Sequence, residues 1–189
     1  MFNIKKSAIA GVLALAASQA WATEGTIQFT GAIIDSTCEF SGSDTVNVEL
    51  GHYGKNQFKS VGDRTPKIPV TIPLKNCPTT PWEHLDGTDN ASFRLWLETR
   101  NGGTVKGADG DLIAVSSMGD AAATGVGIQI ESAVTSNVIP PNLLSDESFT
   151  ITGTSMNLEL QAYYVSTVES TAITSGEANA AVDVTLDYR

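Results

Sequence analysis

Histidine is nearly absent from this chain. His52 and His84 are the only two, no H-E-x-x-H zinc motif holds either of them, and no G-x-S-x-G nucleophile elbow occurs. With no constellation for general acid–base or nucleophilic work, the expectation is a protein that is not an enzyme and needs no cofactor or metal; a secreted enzyme is the weakest reading. Basic residues are scarce too, with 11 Lys and Arg against 21 Asp and Glu and a net charge of −10. So acidic a chain repels phosphate backbones and anionic lipid, which argues against nucleic-acid or membrane-surface binding. Two acidic turns, Asp109-Gly-Asp111 and Asp86-Gly-Thr-Asp89-Asn90, lack the ligand spacing of a calcium loop and read as ordinary turns.

Long apolar runs are missing except at the start. Lys5 and Lys6 form a basic region, Ala8 to Ala17 an apolar one, and Ala20-Trp21-Ala22 a small-residue cleavage site, the layout of a secretion signal. The run is too short to cross a bilayer, which takes about 20 apolar residues. Residues 1–22 are therefore read as a signal peptide. Their loss removes two lysines and no acid, leaving nine basic and 21 acidic residues, a balance of −12. Residues 23–189 are enough for one domain with a real core.

Only two cysteines are present, Cys38 and Cys77. Neither stands in a CxxC pair or at ligand spacing from a histidine, so a redox pair or metal site is disfavoured. In the oxidising compartment that a signal implies, one disulfide is expected. It would close a loop of about 40 residues, worth about 4 kcal/mol in the chain-entropy picture.

What remains is strand after strand. Gly25, Ile27, Phe29, Gly31 and Ile33 alternate with Thr26, Gln28, Thr30 and Ala32, the period of two that a strand imposes. Val46, Val48 and Leu50 alternate, as do Ile68, Val70, Ile72 and Leu74, and then Phe93, Leu95 and Leu97. Pro69 and Pro73 remove two N–H donors on one side of their strand and predict an edge or irregular pairing there. Leu112 to Val115 is short and apolar; Val126, Ile128 and Ile130 follow, and Met156 to Tyr164 makes a long strand. At the end Val182, Val184, Leu186 and Tyr188 alternate with Asp183, Thr185, Asp187 and Arg189. No window after the signal sustains a helical period, and turn-forming pieces such as Asn101-Gly-Gly103, Gly107-Ala-Asp-Gly110 and Thr174-Ser-Gly176 separate the strands. The pattern predicts a single all-β antiparallel sandwich.

Taken in order, these pieces resemble the pilin subunits of chaperone–usher fimbriae, of the type 1 major-subunit class. The resemblance rests on Gly25-x-Ile27-x-Phe29-x-Gly31-x-Ile33 followed by Cys38, on Val48-x-Leu50-Gly51, and on Leu74-Lys-Asn76-Cys77. Gly125-Val-Gly-Ile128, Ala162-x-Tyr164, Gly176-x-x-Asn179-Ala180 and the penultimate Tyr188 complete it. It implies an immunoglobulin-like sandwich lacking its last strand, completed by a strand donated from a neighbouring subunit. Residues 23–36 would then be a donor extension and 37–189 the pilin domain. Ile27, Phe29 and Ile33 would fill pockets in the neighbour, with Gly31 where the groove is shallow. Val182, Val184, Leu186 and Tyr188 would line the subunit's own groove and offer the strand that a periplasmic chaperone grips. The implied partners are identical or related pilins, that chaperone and an outer-membrane usher, and the implied destination is a cell-surface fimbria reached through the periplasm.

A second reading concerns Pro78-Thr-Thr-Pro-Trp82-Glu-His84, a proline-bearing loop with a tryptophan. An exposed Trp82 could stack on a sugar, making the chain a single-domain adhesin for a host glycan; a Trp82 folded back on the sandwich would instead cover core.

Overall fold

The computed structural model describes Gln28, Ile33, Ile34 and residues 37–189 apart from Asn101, Gly102, Met118 and Asp120. The signal segment and Ile27, Phe29 and Gly31 lie outside the described residues. Among the described residues twelve strands run in chain order: β1 (Glu39–Phe40), β2 (Ile68–Lys75), β3 (Trp82–Glu83), β4 (Asp89–Asn90), β5 (Ser92–Thr99), β6 (Thr104–Gly107), β7 (Gly110–Ala114), β8 (Val126–Ser132), β9 (Val138–Ile139), β10 (Leu144–Thr150), β11 (Ser155–Ser166) and β12 (Val182–Asp187). Among the described residues the only helical pieces are two single 3-10 turns, Lys55–Gln57 and Ser170–Ala172.

Two antiparallel sheets form the sandwich. The larger runs β1-β2-β11-β8-β7-β6, with β9 added to β8; the smaller runs β10-β5-β12. The short hairpin β3–β4 stands apart. β11 is the long central strand, pairing β2 from Ser155–Lys75 to Ala162–Ile68 and β8 from Leu160–Ser132 to Ser166–Val126. The period-two pattern sends Ile72 and Leu74 of β2, Phe93, Leu95 and Leu97 of β5, and Leu158 and Leu160 of β11 into one buried cluster between the sheets. Phe93 stacks on Phe149 of β10 with ring centroids 5.9 Å apart.

The disulfide expected between Cys38 and Cys77 is present, joining the chain just before β1 to the chain just after β2. The prolines of β2 behave as their chemistry requires. Pro73 accepts a bond from the Ser41 N–H at 2.8 Å, so it faces away from β11, and Pro69, four residues earlier, shares that side. Among the described residues this outer edge of β2 carries only the two-residue β1.

Two expectations need correction. Val46 to Leu50 joins no sheet. Its alternation is genuine, yet no neighbouring strand offers it a ladder. Trp82 is turned inward, only 9% exposed. Its Nε1–H donates to the Tyr188 carbonyl at 2.9 Å, and its ring packs 5.1 Å from His84 and 5.9 Å from Tyr188. That burial removes the open ring a sugar platform needs. Tyr163, on the face of β11 opposite Leu158 and Leu160, is fully buried. Leu112 and Val165 form a small cluster with it, and Val105 packs alongside, because the β6–β7 hairpin folds over that face.

A candidate functional groove along the C-terminal strand

β12 pairs with β5 along its whole length, from Val182–Thr99 to Asp187–Arg94. Among the described residues no second strand ladders onto its other edge. Beside that edge runs a groove of about 1470 Å³, walled by residues 44–53 on one side and 173–184 on the other. Val70, Ile72, Ile130 and Leu160 contribute to its floor. Val70, Ile130, Val182 and Val184 pack against the core but stay half-buried, which leaves apolar surface in contact with solvent. An apolar channel beside an unpaired strand edge exposes backbone donors and acceptors together with side-chain pockets.

One end of the groove is built by a backbone crossing. Residues 174–179 bridge to 116–124 through Thr124–Thr174, Ala122–Glu177 and Ser116–Asn179. Gly176 makes this possible, since a Cβ there would stand 2.2 Å from the Ala121 carbonyl oxygen. The Tyr164 hydroxyl donates to the Ala178 carbonyl at 2.8 Å, and its ring meets Tyr53 edge-on at 6.2 Å. Burial, and then the neighbouring Tyr53, push the Tyr164 phenol above its ordinary range.

The groove lining on β12 stops at Val184; beyond the end of the strand stands Tyr188. Its ring lies 6.0 Å from Phe93, and its hydroxyl accepts the Cys38 N–H at 2.7 Å. Burial raises the Tyr188 phenol, opposed by that bond. The next residue, Arg189, is ion-paired to Asp187, and the hydrogen bonds it donates hold the Asp187 carboxyl below the usual range.

Of the residues singled out in the sequence, Val182, Val184 and Leu186 share the inward face of β12 and Tyr188 packs against the same core just beyond it; of the four expected to line the groove only Val182 and Val184 do so, because Leu186 and Tyr188 are taken up by the core. Ile33 is fully exposed, whereas its neighbour Ile34 packs against the main core. Sequence reasoning missed Phe58 and Ile173, which with Val126 form a second buried cluster bordering the groove; both sit in irregular segments with no period to mark them. The acidic turns do other work: Asp86 accepts from Thr88 and Asp109 pairs with Arg64 at 2.8 Å. Among the described residues no group of three His, Cys, Asp or Glu is placed to hold a metal.

With this geometry in view, comparison with known proteins is decisive. The family described as "Fimbrial protein" matches residues 27–189. The chain belongs to the fimbrial protein family. The fimbrial-like protein YraH of Escherichia coli K12 is 51% identical over the full length of both chains. The probable major fimbrial subunit LpfA of Escherichia coli O157:H7 is 35% identical, covering 99% of this chain and 98% of that one. Among solved structures, a chain of a chaperone–usher pilus superposes with a TM-score of 0.59 at 20% identity, covering 88% of this chain and 96% of that chain. The P pilus rod subunit PapA gives 0.58 at 18%, covering 82% and 100%. The immunoglobulin-like sandwich of these subunits is the fold of this fimbrial protein.

Proposed function

We propose that this fimbrial subunit is structural, that a periplasmic chaperone delivers it to an outer-membrane usher, and that it polymerises by donor-strand exchange into a surface fimbria supporting adhesion. The observation that carries this reading is the open groove beside the free edge of β12. An extended segment laid there would hydrogen-bond to β12 and bury the half-exposed floor, the strand-addition mode of recognition. Residues 23–36 are the proposed donor, with Ile27, Phe29 and Ile33 as anchors and Gly31 at the shallow point. The outward position of Ile33 supports this, because a side chain packed in its own domain would not be free for a neighbour. Each anchor contributes about 1.5–3 kcal/mol on burial, less the cost of ordering the segment.

The test compares thermal unfolding of residues 37–189 with the same chain carrying residues 23–36 at its C-terminus through a flexible linker. A rise of tens of degrees, abolished when Ile27 and Phe29 become Asp, is expected. No rise would refute the strand-acceptor reading.

A further inference from the structure

Tyr188 lies beyond the last β12–β5 pair, Asp187–Arg94, and the ladder does not hold it. Two bonds and two ring contacts do. The Cys38 N–H donates to its hydroxyl across 150 positions of sequence at 2.7 Å, and Trp82 Nε1–H donates to its carbonyl at 2.9 Å. Trp82 and Phe93 flank its ring at 5.9 and 6.0 Å.

Cys38 is itself fixed by the bond to Cys77, and the Cys77 N–H donates to Thr154 just ahead of β11 at 3.1 Å. A continuous path thus runs from β11 through the disulfide to the last turn of chain after β12. β12 is an edge strand with one ladder, so its end position depends heavily on such a link.

We propose that Tyr188 is a positioning residue that transmits formation of the Cys38–Cys77 bond to β12, so that the groove wall is held in place only in the oxidised chain. Without the disulfide, Cys38 is tethered only through the two-residue pairing of β1 that follows it, and its N–H is held less firmly against the phenol. Tyr188 is then left to the Trp82 bond and the ring contacts with Trp82 and Phe93. The proposal rests on the groove reading for its biological meaning, but its physical content is the coupling of two sites.

The experiment is amide hydrogen exchange on the exported chain, oxidised and reduced, as wild type and as Tyr188→Phe. The Phe variant keeps the ring and deletes only the acceptor. In the oxidised protein it should speed exchange of residues 182–188 and of Cys38 about fivefold or more, the scale of one lost hydrogen bond, with β8 and β11 unchanged. Reduction of wild type should loosen the same residues, and reduction of Tyr188→Phe should add little. Independent, additive effects, or an unchanged β12 in the oxidised variant, would overturn the proposal. Should the reduced chain unfold altogether, oxidised Trp82→Phe gives a second reading. It removes the other bond to Tyr188 and should loosen residues 186–188; an unchanged C-terminus in both oxidised variants overturns the latch. A synthetic peptide of residues 23–36 added to each form keeps the two ideas apart. Loosened β12 with no peptide binding to wild type would uphold the latch and reject the groove as a strand acceptor.

Discussion

The Tyr163 hydroxyl donates to the buried carboxylate of Glu131 at 2.7 Å, under the β6–β7 hairpin. The Gln129 side-chain oxygen lies 2.9 Å from the same hydroxyl and shares its one proton, and the Lys67 ammonium pairs with Glu131 while lying 5.6 Å from the Tyr163 ring centroid. The Lys67 side chain is 40% exposed and that of Glu131 only 2%. Removing either partner is therefore not equivalent. Lys67→Met strands a buried carboxylate and should cost about 3 kcal/mol. Glu131→Gln leaves a half-exposed ammonium that water can serve, and should cost about 1–2 kcal/mol. Urea unfolding of both variants checks the order; the reverse would mean the pair is effectively solvated.

Gly176 should tolerate no side chain. Its missing Cβ would meet backbone atoms of Ala121, Ala122 and Ala123 within 2.6 Å, and backbone yields less readily than a side-chain tip. Gly176→Ala is expected to destabilise by about 2–3 kcal/mol and to break the Ala122–Glu177 bridge, seen as faster amide exchange at Ala123 and Glu177.

Alkaline pH should unfold the protein by a route that tyrosine substitution blunts. Burial raises the phenols of Tyr163, Tyr164 and Tyr188 above their ordinary value of 10.0. The unfolded chain then loses these protons first, so their contribution is complete below about pH 10 and falls as pH rises past it. Melting temperature followed from pH 9 to 12 should drop, and Tyr188→Phe should flatten the drop. On the acid side, Asp187 is lowered by the bonds from Arg189. Its contribution is present above the ordinary carboxylate range and is lost as pH falls through the lowered value, and Asp187→Asn should remove that dependence.

Groove residues should be nearly silent until a strand docks. Val184 is half-buried in the free subunit, so Val184→Ser should cost under about 1.5 kcal/mol there. The same change should erase much of the stabilisation conferred by a peptide of residues 23–36. Paired melting curves with and without peptide separate the two effects.

Most of the sandwich was legible because inward residues recur every second position. β2, β5, β8, β11 and β12 all announce themselves so, and the two prolines of β2 announced its thin outer edge. Val46, Val48 and Leu50 carry an equally clean pattern yet form no ladder, since alternation reports which face is apolar and not whether a partner exists. The burial of Tyr163 goes unannounced for a related reason: nothing in β11 tells that the β6–β7 hairpin will cover its second face. Gly176 was visible as a residue, but the backbone crossing that demands glycine depends on residues 121–123, more than 50 positions away. Ile33 and Ile34 mark another limit. Alternation put Ile33 on the apolar face of its segment, yet Ile33 is fully exposed while Ile34 packs inward.

The prolines of β2 bear on how many neighbours one subunit can have. A sandwich with two receptive edges would be a branching monomer, and its assemblies would be gels or sheets. Pro69 and Pro73 strip donors from one edge of the large sheet, so strand addition there is weak. The edge of β12 retains every donor. In the donor-strand reading, a subunit that accepts one strand beside β12 and offers one extension has a valence of two, one of each sex, and its growth can only be a line.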